Sequence, residues 1–207
     1  MRPPMRPAFL LPILALLLGP GCSALSALGE ATAVLDVYEL RAPEAVPTGP
    51  RRSLEVTVVL PTTTGALDTD RIMVKPDPLA AQYLPDARWG EEVPVLVQSL
   101  MLRTLQETEA FAYVGRDPLG ISGDVAVVAD VIDFQAEADA DGPGATVRLQ
   151  LSVQAVRESD VAILSSRTFE ATARAADTET RTIVAAFDAA SAQLLVAFAE
   201  WAVGALR

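Results

Sequence analysis

No histidine occurs anywhere in this sequence, and cysteine and lysine occur once each. Without an imidazole there is no Ser-His-Asp or Cys-His nucleophile system, no histidine metal site and no imidazole acid–base chemistry. A single cysteine excludes a disulfide within the chain and a cysteine-rich zinc site. The one lysine, Lys75, is followed by Pro76, so there is no phosphate-binding P-loop, and no G-x-G-x-x-G is present either. Gly120-Ile121-Ser122-Gly123 approaches a nucleophile elbow but does not match G-x-S-x-G, and no histidine stands ready to activate Ser122. Basic residues are also few. Sixteen Lys and Arg face 27 Asp and Glu, for a net charge of −11. Acidity of this size argues against nucleic acid, because little would neutralise phosphates. It argues equally against an electrostatic grip on anionic head groups. Half of the residues are apolar (51%), which is the composition of a folded chain rather than a charged disordered one.

What is present begins with a leader. Met1, Arg2 and Arg6 give a basic start, Ala8 to Leu18 is apolar apart from Pro12, and small residues follow from Gly19 to Ala24. That order is a secretory signal, and the apolar run is too short for a bilayer span of roughly 20 residues. The stretch Thr182 to Leu206 comes nearest to a span, but Asp188 and Glu200 interrupt it. Two cleavage readings stand side by side. Small residues at Ala24-Leu25-Ser26 would serve an ordinary signal peptidase. A lipoprotein peptidase cuts before a cysteine, and Gly21-Cys22 fits its requirement, although Pro20, Gly19 and the early Leu18 depart from the usual lipobox. A lone cysteine after glycine at the end of the apolar run favours lipidation at Cys22. The organisation is then a signal peptide over 1–21, a lipidated tether over 22–32 and one domain over 33–207. Loss of the two leader arginines takes the charge from −11 to −13.

Along the domain, Ala33 to Leu40 predicts a first short strand, and Pro43, Pro47, Gly49 and Pro50 mark a loop. Leu54 to Leu60 predicts a strand with Leu54, Val56, Val58 and Leu60 on one face. Arg71 to Lys75 predicts another, closed by Pro76 and Pro78. Glu91 to Glu109 reads as a helix with Pro94 in its first turn and Glu91 and Glu92 at its positive end. Val93, Leu96, Val97, Leu100, Met101 and Leu105 form its apolar stripe, with Gln98, Arg103, Gln106 and Glu107 mostly outside it. A brief strand over Ala112 to Val114 precedes a meander: Asp124 to Ala136, Thr146 to Arg157 and Val161 to Ala173, joined by turns at Ala138 to Gly144 and Glu158 to Asp160. Asp177 or Thr178 caps a final helix, Glu179 to Leu206. On it Phe187, Leu194, Phe198 and Trp201 share a face, as core packing or as a ligand groove. No internal repeat is visible. The fold class is α+β: a mixed, largely antiparallel sheet with two helices on one face.

The distinctive stretch is Arg71 to Glu107, RIMVKPDPLAAQYLPDARWGEEVPVLVQSLMLRTLQE, preceded by Val37-Tyr38-Glu39-Leu40. A cysteine after an apolar leader, a "Tyr-x-Leu" first strand, a strand ending in Val-Lys, a Tyr83-to-Trp89 approach to the first helix, a meander and a long last helix come in that order. This order resembles the ABC-type transport auxiliary lipoproteins, the family that includes the paraquat-inducible lipoprotein. The resemblance covers about residues 33–206 and is most specific from Tyr83 to Pro94. It implies a lipoprotein on the inner leaflet of the outer membrane. That protein would accompany an ABC transporter and a mammalian-cell-entry domain protein, in a system moving lipids or other hydrophobic molecules across the periplasm. It implies no catalytic site and no cofactor.

Tyr83, Arg88 and Trp89 are the candidate docking residues, since Arg and aromatic side chains are favoured interface anchors. The other reading places Trp89 at the end of the core, with Arg88 paired to an acid such as Asp86 or Glu92. An enzyme would have to use the carboxylates Asp130 and Asp133 or the cluster Glu137, Asp139 and Asp141. That cluster lies by a turn, where acids are usually solvated, and lacks an EF-hand's ligand order. The alternative function is a structural or assembly-supporting envelope lipoprotein with no direct transport role, acting as a homo-oligomeric ring or bridge or beside an outer-membrane partner. Intact mass of the protein from its native envelope tests the leader: a triacylated chain beginning at Cys22 is expected, whereas a bare chain beginning near Ala27 means ordinary cleavage.

Overall fold

Alternating hydrophobicity places the centre of the sheet in the meander. The computed structural model describes residues 35–118, 120, 123–140 and 142–206. The leader, Cys22 and the tether fall outside them. In β7 (Val125–Ala138), Val125, Val127, Ala129 and Val131 are buried. A bulge between Val131 and Asp133 then shifts the phase, so that Phe134 and Ala136 continue the buried face. β8 (Ala145–Arg157) buries Val147, Leu149, Leu151, Val153 and Ala155 and exposes Arg148 and Gln154. β9 (Ala162–Ala175) pairs antiparallel with β8 as β8 does with β7, so the meander is as the alternation predicts.

The other edge of β7 is covered in sections. β2 (Arg52–Val58), β3 (Thr62–Thr63) and β4 (Arg71–Asp77) follow one another along it, all parallel to it. β2 also pairs with β6 (Phe111–Gly115). β4 turns back into β5 (Ala80–Trp89), and β5 takes β1 (Asp36–Tyr38) in parallel on its outer side. The result is a mixed nine-stranded sheet in a single α+β domain.

Both helices lie on one face of the sheet. α1 (Val93–Glu107) carries Pro94 in its first turn and buries the expected stripe. α2 (Thr180–Ala205) is long and apolar enough to cross a bilayer by composition alone, yet its aromatic face belongs to the core. Phe187, Leu194, Phe198 and Trp201 are all buried, and Ala186, Ala190, Ala199 and Ala202 let the helix approach closely. Two aromatic clusters hold it. Trp89 meets Phe134 at 6.1 Å and Phe187 at 5.2 Å, both edge to face. Phe169 meets Phe198 at 5.9 Å and Trp201 at 5.7 Å, and the Trp201 indole N–H donates to Ser165 Oγ at 3.0 Å.

Several expectations are corrected. Tyr83 to Trp89 is not an approach segment but part of strand β5, and β4 runs on through Pro76 instead of closing there. Proline is tolerated because β4 leaves β7 after Lys75, and Pro85 lies on a sheet edge. Leu60 lies past the end of β2 and is 51% exposed. Gln98 is buried: its amide donates to Val58 O at 2.9 Å, and its oxygen accepts from Arg116 Nε at 3.1 Å. Neither Asp177 nor Thr178 is the cap of α2. Glu179 holds that place without a side-chain bond, and Asp177 Oδ1 accepts from Glu179 N at 3.1 Å one step earlier. α1 likewise starts after Glu92 and ends before Glu109, whose φ of 53° turns the chain away.

Trp89 is fully buried, and its indole N–H finds no acceptor among the described residues. Trp89→Ala is expected to cost about 3–5 kcal/mol in urea unfolding. Trp89→Phe should cost clearly less, because it keeps an edge-to-face ring and removes an unpartnered donor. Equal losses for the two variants would refute the packing role given to the ring.

Candidate docking surface

The hairpin of β4 and β5 turns on Pro-Asp-Pro-Leu. Asp77 Oδ1 accepts from Leu79 N at 2.9 Å and Ala80 N at 3.0 Å, which locks the turn with a side chain in place of a further backbone bond. Met73 then lies opposite Tyr83 and Val74 opposite Gln82. Leu79, at the tip, is 99% exposed.

At the base of the hairpin the candidates separate. Successive residues of a strand point to opposite faces, so the burial of Trp89 turns Arg88 outward. Arg88 Nη1 donates to Asp70 Oδ2 at 3.1 Å and to Trp89 O at 3.2 Å. Its acid is therefore Asp70, not Asp86 or Glu92. Tyr83 is exposed; its hydroxyl donates to Ala66 O at 2.9 Å, and the Arg71 guanidinium stands 5.9 Å from its ring centroid. Arg71 Nη2 also donates to Leu84 O at 2.9 Å. Val37 of β1, beside Arg88 in the ladder, is exposed. Tyr83 and Arg88 thus share a hairpin with Arg71, and Val37 of β1 stands beside Arg88. Trp89 is on the core side and offers no side-chain surface there.

Asp70, Arg71 and Leu79 were not singled out in the sequence. The Pro-Asp-Pro-Leu turn between two runs with strand residues is the signal that would have found them, by predicting a hairpin.

The carboxylates considered for catalysis each have local partners. Asp130 accepts from Thr62 Oγ1 at 2.9 Å. Asp133 and Glu137 accept from Gln135 Nε2 at 2.9 and 3.2 Å. Glu137 also pairs with Arg148 at 3.3 Å, and Asp139 with Arg174 at 2.9 Å. Asp141 and Ser122 lie outside the described residues. Among the described residues no group of three His, Cys, Asp or Glu is placed to hold a metal ion.

Away from the hairpin, a groove of about 640 Å³ lies between Arg41–Ala45 and α2. Arg41 closes it: its backbone N–H and its Nε donate to Asp188 at 3.0 and 3.1 Å. That hydrogen bond, and the charge of Asp188, push the arginine further above its ordinary range.

A family model described as ABC-type transport auxiliary lipoprotein component matches residues 38–199. An uncharacterized protein of Bradyrhizobium diazoefficiens is 27% identical over 180 residues, covering 84% of this chain and 47% of the relative. The chain therefore spans about half the length of the curated relative it matches. The crystal structure of a protein from Xanthomonas campestris is similar with a TM-score of 0.73 and 22% identity, covering 82% of this chain and 96% of that one. A crystal structure of another uncharacterized protein has a TM-score of 0.61 and 11% identity, covering 81% and 97%. At these identities the two structures establish a shared fold.

The Asp70–Arg88 pair is about one-third exposed on each side (35% and 37%), so it adds little stability. Asp70→Ala is expected to lower unfolding free energy by no more than ~1 kcal/mol. A loss of several times that would assign Arg88 to the framework and not to the surface.

Proposed function

The chain belongs to the ABC-type transport auxiliary lipoprotein components, and on that ground we propose that it is a non-catalytic outer-membrane lipoprotein of an ABC and mammalian-cell-entry type system that moves lipids or other hydrophobic molecules across the periplasm. The observation that carries this reading is the reach of the family match, from β1 into the last turns of α2. The chemistry of the chain supports it. Histidine is absent, and the described carboxylates considered for catalysis are engaged with neighbouring side chains. In this reading residues 1–21 are removed and Cys22 carries the acyl chains. Residues 22–32 form the tether, and the protein sits on the inner leaflet of the outer membrane. Several acyl chains give stable attachment where one would not. The acidity of the chain makes that anchor necessary, because head-group electrostatics would not hold it.

Tyr83 and Arg88 are the docking residues in this reading, with the mammalian-cell-entry domain protein as partner and its ABC transporter beyond. An arginine and an exposed aromatic ring on one strand can supply a charge-assisted hydrogen bond and apolar area to the same interface. The full chain isolated from its native membranes is expected to bring down both a mammalian-cell-entry domain protein and an ABC transporter subunit. Arg88→Ala, if folded, should weaken that association by about tenfold or more. Unchanged affinity removes Arg88 from the interface, and isolation without either partner overturns the transport reading.

A further inference from the structure

The tip of the β4–β5 hairpin has no role in the reading above. Leu79 is 99% exposed there, and Pro76, Asp77 and Pro78 are exposed beside it. A lone exposed leucine is ordinary on a protein surface. Here the backbone around it offers few free donors. Pro76 and Pro78 have no N–H, and the N–H groups of Leu79 and Ala80 already donate to Asp77 Oδ1. Unsatisfied backbone donors add to the cost of bringing a turn to a lipid interface. In this tip nearly all of them are absent or occupied. Lys75, the only lysine of the chain, lies just behind the tip, opposite Glu137 of β7.

The direction of the chain says what the tip faces. β1 runs parallel to β5, with Asp36 beside Ala87 and Tyr38 beside Trp89. β1 therefore begins on the side of the hairpin tip. From Ala87 back to Ala80 is about 23 Å of strand. Residues 22–34 can reach about 40 Å when extended. A chain anchored at Cys22 is thus long enough to bring the tip to the same surface as the anchor. The opposite end of the sheet, where Arg157 pairs with Val125, carries Val161 and Ile163 and points away from that surface.

We propose that Pro76–Leu79 is a second membrane contact, in which Leu79 enters the lipid interface beside the acylated N-terminus and fixes the orientation of the domain. The inference rests on the anchor reading of Cys22. The test uses the full lipidated chain on phosphatidylethanolamine–phosphatidylglycerol vesicles. A polarity-sensitive dye is attached to Leu79→Cys or, in a second variant, to Val161→Cys; an acylated Cys22 has no thiol to react. A dye at position 79 is expected to shift to the blue and to be quenched by spin-labelled lipid, while a dye at 161 keeps its emission in water. A vesicle-bound chain whose dye at 79 behaves like the one at 161 overturns the inference and leaves the anchor standing. A chain that carries no acyl groups by mass and does not bind the vesicles overturns the anchor, and the second contact with it.

Discussion

The enclosure of Trp89 between Phe134 and Phe187 is the contact on which the arrangement of this domain depends. The three rings come from β5, β7 and α2, which are far apart in sequence, and their centroids lie 5.2 to 6.1 Å apart. Hydrogen bonding alone would hold the hairpin weakly, because β4 meets β7 only at Val74 and Lys75. Packing supplies what the ladder lacks. Trp89 draws the end of β5 beneath the sheet at the point where the chain turns into α1, and its backbone N–H donates to Asp70 O at 2.7 Å. The same enclosure sets the surface. Because Trp89 points inward, Arg88 must point outward, next to the residue pair that includes Asp70.

How much of this was legible in the sequence follows from where the forces act. The meander is written in local alternation, since each strand buries every second residue of its own sequence and the turn residues between them are explicit. The stripes of α1 and α2 are legible for the same reason. β5 was not, because Pro76, Pro78 and Pro85 are read as breakers unless the strands are known to lie at a sheet edge. The acid that pairs with Arg88 could not be read either. Asp70 is 18 residues away and is brought near only by the register of the hairpin. Gln98 looked like a solvated position because its neighbours Val58 and Arg116 arrive from elements that the periodicity of α1 does not encode. Of the candidate site, the stretch was found from sequence, but the division of Arg88 from Trp89 needed the sheet.

The face of the meander turned away from the helices is held wet by paired side chains. Arg148 with Glu137 and Gln150 with Glu170 join neighbouring strands, and Arg174 of β9 reaches Asp139 just past the end of β7. Each such pair contributes little to stability, roughly 0.2–1 kcal/mol, yet together they occupy Glu137 and Asp139, two of the acids that a catalytic reading would need. β9 is an edge strand of 14 residues, and it carries Arg167, Glu170 and Arg174. Charged side chains on an edge discourage pairing with another chain. The polarity of this surface is thus accounted for by keeping a long open sheet soluble.

A lipid anchor and a docking surface make different demands on a fold, and the sheet is long enough to separate them. An acyl anchor confines a domain near a membrane but leaves it free to rotate on its tether. Confinement raises the effective concentration of a docking residue only when the residue can face its partner. In this chain the N-terminal strand, the hairpin and its arginines share one edge of the sheet. If the hairpin tip faces the bilayer as proposed, the bearing of Arg88 is fixed as well, since both belong to the β4–β5 hairpin, which is locked to the core through Trp89. On the proposed reading the anchor contributes affinity for the membrane, and the rigid strand contributes direction. That is why a buried tryptophan with no surface of its own sits beside the arginine on which docking is proposed to turn.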